Sequence, residues 1–143
     1  MVSDLVMTEA HCTGQKTAPQ PVALGSYGID IHEIRRVVRD GQVVREGKLS
    51  GRVAQPYPIG YGAIVPKQSE CDNLFATFAV SASHVAFGSI RMEPVFMMLS
   101  QSAATAACLA LDANLPVQAV PYEALRVRLL EDKQVLIWPS KSK

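Results

Sequence analysis

From Pro94 to Leu111 the chain carries no charged residue, a run that reaches the roughly 18 residues needed to span a bilayer. Ser100, Gln101, Ser102 and Thr105 interrupt it, alanine fills much of the rest, and no aromatic or basic belts flank it. A helix buried in a soluble fold is therefore the better reading. Pro94 suits a first helical turn, where its missing N–H costs nothing, and Asn114 and Pro116 supply an end. A helix through Asp112 extends roughly 28 Å, and its alanines allow close packing against a sheet or a cofactor.

The rest of the chain must cover that helix. The first two dozen residues read as loop, with one short strand expected around Leu5 to Met7. Ile34, Val37 and Val38 recur at helical spacing, and Gly41 either stops such a turn or forms a hairpin with Asp40. Val43 and Val44 open an extended stretch, and Ile59 to Val65 forms a second β-like run in which Pro56 and Pro58 fit only an edge or the first residues. LFATFAV, residues 74–80, suits a strand buried on both faces. SASHVAFGSIRME, residues 81–93, follows neither period. A last amphipathic helix is expected from Tyr122 to Asp132, with Leu125, Leu129 and Leu130 on one face, then a terminal strand over Val135 to Trp138 and a tail of lysines and serines. The fold class is α/β or α+β, a small sheet packed on one long buried helix.

Composition removes several function classes. The net charge is +1, and the cluster Arg35, Arg36 and Arg39 is bracketed by Glu33 and Asp40 with no interleaved aromatics, which describes a solvated face and no nucleic-acid footprint. Cys12, Cys71 and Cys108 are odd in number and far apart, so a reducing, cytoplasmic setting is expected. His11, His32 and His84 are equally scattered, and no metal site is expected. Asp4 and Glu9 interrupt the N-terminus, where no signal peptide is expected. Ser81, Ser83 and Ser89 lie near His84, but no GxSxG elbow accompanies them.

The informative unit is a strand, an irregular loop and the N-terminus of the long helix. Ligands of α/β folds bind outside the carboxyl ends of strands, and a helix N-terminus offers unpaired N–H groups and partial positive charge. Ala82 to Val95 is therefore the candidate site on physical grounds alone.

The string HVAFGSIRMEP and the small-residue helix after it closely resemble the C-terminal cofactor segment of the FAD-dependent oxidoreductase family, and GSYGIDIH and PYPIGYGAIVPK extend the resemblance upstream. The resemblance implies a C-terminal fragment of an FAD-binding, Rossmann-like oxidoreductase. Residues 1–56 would belong to the substrate-side or insert region and 57–143 to the FAD-binding domain. Phe87, Gly88, Ser89, Ile90 and Arg91 would run beside the flavin ring, and Glu93, Pro94 and Val95 would face its pyrimidine edge. His84 and His32 would lie on the substrate side as catalytic proton donors or acceptors. Lone loop histidines are also commonly structural, and Arg91 can equally pair with a carboxylate.

The chain departs from the family in three places. A dinucleotide-binding domain opens with GxGxxG after a strand, and neither Gly25–Gly28 nor Gly60–Gly62 meets that pattern. Ser100 and Ala104 stand where relatives often carry glycine, and Gly62 where arginine is common. Two functional expectations follow. One is an FAD oxidoreductase segment acting on an unassigned small molecule with an N-terminal FAD-domain partner. The other is a truncated, non-catalytic remnant or self-associating structural domain.

Overall fold

The computed structural model describes residues 1–139; the expected lysine and serine tail at 140–143 lies outside them. Four α-helices, two 3-10 helices and three two-stranded antiparallel sheets make up the described residues. In order they are α1 (Glu9–Cys12), β1 (Pro21–Gly25), β2 (Ile29–Ile31), β3 (Arg35–Arg39), β4 (Gln42–Glu46), β5 (Leu49–Gly51), β6 (Tyr57–Gly60), α2 (His84–Ile90), α3 (Glu93–Ala113) and α4 (Tyr122–Glu131). The fold is the expected mixture of α and β, with the sheet divided into the ribbons β1–β6, β2–β5 and β3–β4.

The long helix forms as its composition demands. Pro94 sits in the first turn of α3, and Asn114 closes the helix in the left-handed region at φ 51°. The Leu115 N–H then returns to the Ala110 carbonyl at 2.9 Å, the wrapped C-terminal bond that a left-handed residue permits. Val95, Leu99, Ser102, Ala103, Ala106 and Ala110 turn inward, towards β1, and α4 covers the other flank with Leu125 and Leu129. The helix is buried along one side only. It is long and apolar enough to cross a membrane by length and composition, and 33% of that window is buried.

One irregularity locks α3 to the sheet. The β1–β6 register shifts between Pro21 and Ala23, which takes the Val22 carbonyl out of the ladder. A buried carbonyl needs another donor. Ser102 Oγ supplies one at 2.6 Å and Gln134 Nε2 another at 2.5 Å.

Several local expectations are corrected. Ile34, Val37 and Val38 lie in and beside a hairpin, not a helix: Asp40 and Gly41 both adopt positive φ, 51° and 74°, the turn that a two-residue β-hairpin requires. Val37 and Val38 pair with Val44 and Val43, where β-branched side chains pack better than on a helix. The strand near Ile59 is Tyr57–Gly60, and Tyr61–Ala63 turns into a 3-10 helix. Residues 74–80 are irregular and half-exposed instead of a buried strand. They bind the body through isolated bonds, Ala76 N–H to Ile64 O at 2.8 Å among them, because no flanking strand offers a ladder. The terminal strand at Val135 to Trp138 is likewise absent: this stretch is irregular and only Leu136 of it is buried. Near Leu5, Met7 alone makes an isolated parallel bridge, to Ala82.

Candidate functional site

The largest correction falls on the candidate site itself. Residues 84–90 form α2, not a loop. Ser83 caps it, its side chain accepting the Ala86 N–H at 3.2 Å, and a serine three residues before the bonded amide is a helix signal legible in the sequence. Met7 sets the entry angle: its N–H donates to Ser81 O at 2.9 Å, and its carbonyl accepts the Ser83 N–H at 2.8 Å.

α2 packs on β2 through Gly88. A Cβ there would come 2.9 Å from Ile31 Cγ1 and 3.2 Å from the Asp30 carbonyl, so only glycine admits this approach. Asp30, Ile31, His32, Ile34, His84, Phe87, Gly88 and Arg91 thereby surround an open, largely apolar cavity of about 290 Å³. His32 and His84, 52 positions apart in sequence, line it together.

Asp30 organises its polar side. His32 Nε2 and Asp30 Oδ2 lie 2.9 Å apart, and Arg91 Nη2 donates to the Asp30 carboxylate at 3.3 Å and to its carbonyl at 3.2 Å. The pairing of this carboxylate with Arg91 escapes a sequence reading because the chain gives no sign that residue 91 folds back to residue 30. The His32 side chain is 76% exposed, so this contact adds little stability. Its value is orientation.

The other expected site residues divide into two groups. Ser89 and Ile90 are fully buried, and Ser89 spends its hydroxyl on Tyr57 and on the Tyr27 carbonyl. Val95 is also inside. Phe87 and Arg91 are half-buried, and His84, Glu93 and Pro94 are exposed. The elbow between α2 and α3 brings the Phe87 and Phe96 rings to 6.3 Å, and Pro94 and Met97 in the first turns of α3 are exposed.

A family model for FAD dependent oxidoreductases matches residues 1–129. The chain belongs to this family. No curated protein and no solved structure gives a match.

The family implies FAD as cofactor, and donor chemistry tests how much of an FAD the elbow suits. In the first turn of α3, Pro94 has no N–H, and the Val95 and Phe96 N–H groups return to the Met92 carbonyl at 2.9 and 3.1 Å. Only the Glu93 N–H is left without a partner among the described residues, beside its own carboxylate. A diphosphate needs several donors and no adjacent anion. The aromatic pair and the largely apolar cavity beside it suit a planar ring. The oxidoreductase elbow therefore fits the ring end of a flavin and not its diphosphate.

Proposed function

We propose that this chain supplies the ring-side and substrate-side surface of an FAD-dependent oxidoreductase, with the diphosphate held by an N-terminal FAD-domain partner. The observation that carries this reading is the convergence of His32, His84, Phe87 and Arg91 on one cavity beside the open elbow. Bound there, a flavin would accept and return a pair of electrons. Phe87 and Pro94 would pack on the ring, and Arg91, positioned by Asp30, would place positive charge near it. The Glu93 N–H would donate towards the pyrimidine edge.

His84 would exchange a proton with a small substrate in the cavity, because its imidazole has no bonding partner among the described residues. His32, oriented by the Asp30 carboxylate, would be the second such group. The division into a substrate side, 1–56, and a cofactor side, 57–143, is functional: β1 pairs with β6 across it, so both stretches share one core. The three free thiols fit a reducing compartment, and we place the chain in the cytoplasm.

The exposed side of α3 supports a second reading, a self-associating structural domain without catalysis. Met97 is 71% and Leu111 80% exposed, and apolar surface of this kind favours association. The deciding experiment adds FAD to the purified chain, removes the excess and records visible absorbance and molar mass. We expect a colourless chain that retains flavin only when a domain with the diphosphate grip is supplied. One flavin held per chain without it would overturn the need for a partner. A colourless dimer that still ignores flavin with that domain present would favour the structural reading.

A further inference from the structure

Tyr57 lines a second, more enclosed cavity of about 100 Å³, together with residues of the segment 11–17 and the rest of residues 54–58. It shares no lining residue with the cavity of His32 and His84. At a water's share of about 30 Å³ it has room for a few waters, too little for a nucleotide.

Its chemistry is one-sided. His11, only 8% exposed, reaches back to the start of α1, where the Thr8 N–H donates to His11 Nδ1 at 3.0 Å. A backbone N–H can only donate, so Nδ1 carries no proton and the neutral ring bears its proton on Nε2. Nε2 has no partner among the described residues, and His11 lines the cavity. Burial and then the charge of Lys16 hold its pKa below the ordinary value, which preserves this neutral donor. Lys16 brings the one formal charge to the lining, and Thr17 adds a hydroxyl with no partner among the described residues. No acidic residue is among those lining residues.

We propose that this cavity binds a small tetrahedral oxyanion of the phosphate class, with His11 Nε2–H as the fixed neutral donor and Lys16 as the countercharge. The anion is either free phosphate or the terminal phosphate of a larger molecule that projects past Lys16. The site is independent of the flavin reading, since it uses neither the elbow nor the residues of the larger cavity.

The test is a titration of the full chain with inorganic phosphate at constant ionic strength, followed by NMR. The His11 imidazole and the Gly14 and Lys16 amides should shift saturably. Lys16→Met changes an exposed residue and should leave the fold intact while weakening phosphate at least tenfold. Repeating the titration with glycerol phosphate separates the two sources: tighter binding than phosphate assigns the site to a larger ligand, and weaker binding assigns it to the free ion. Shifts that never saturate, or that are equal in Lys16→Met, overturn the proposal.

Discussion

Tyr57 Oη lies 2.7 Å from Ser89 Oγ, and that bond joins the β1–β6 ribbon to α2. Ser89 gives its own proton to the Tyr27 carbonyl at 2.5 Å, so Tyr57 is the donor. The phenol is buried, and burial pushes its pKa far above the ordinary range, which keeps it a donor at every accessible pH. Its loss has an asymmetric consequence. Ser89→Ala strands both the Tyr57 hydroxyl and the Tyr27 carbonyl and should cost about 1–3 kcal/mol, whereas Tyr57→Phe leaves only an acceptor unused and should cost about 1 kcal/mol. Urea unfolding of the two variants checks the order; equal losses would mean that the network is wired differently.

Gly88→Ala should destabilise the chain even though alanine favours a helix by about 1 kcal/mol over glycine. The new Cβ would sit within 3.0 Å of Ile31, and overpacking of a fitted contact costs about 1–3 kcal/mol. A lowered midpoint with an unchanged far-ultraviolet spectrum is expected. A stabilised variant would show that β2 yields freely, and that the cavity wall it forms is soft.

His11 should make stability depend on pH. Its folded pKa is lowered from 6.5, first by burial and then by Lys16, so below that value the unfolded chain binds the proton more readily than the folded one. The contribution is fully present above pH 6.5 and is lost as pH falls towards and through the folded pKa. Unfolding free energies measured at pH 7.5 and 5.5 should drop on acidification, and His11→Gln should flatten the difference. An undiminished slope in that variant would assign the effect to other groups.

The three thiols should separate by reactivity. Cys108 is exposed, Cys71 intermediate and Cys12 buried, and burial also raises the Cys12 pKa above 9.0, so its nucleophilic thiolate is scarce. A disulfide reagent should label Cys108 fastest and reach Cys12 only on unfolding. Slow labelling of Cys108 at high protein concentration, relieved by dilution, would reveal association over the open side of α3.

Much of the architecture is decided within short stretches of chain. The uncharged alanine-rich run with Pro94 ahead of it and Asn114 behind has one good local solution, and α3 adopts it. Asp40 and Gly41 tolerate the positive φ of a tight hairpin, while Ile34, Val37 and Val38 match a helical period by coincidence. Leu125 and Leu129 are on the buried face of α4 as their spacing requires; Leu130 stays half in solvent because no described residue covers that flank.

Other features depend on partners remote in sequence. The apolar run at 74–80 needed a flanking strand and has none among the described residues, so hydrophobicity alone could not make it one. α2 was signalled by Ser83, yet its position depends on Met7 and on the close approach of Gly88 to β2. The family resemblance pointed to residues 84–95, but burial sorts them, turning Ser89, Ile90 and Val95 inward and leaving Phe87, Arg91 and Glu93 reachable. Asp30 joins the site only because β2 and α2 pack together, closing a loop of 61 residues between it and Arg91. Backbone preferences act over a few residues and are written in the sequence; a carboxylate meets its arginine across such a loop only when the packed core repays the entropy of closing it.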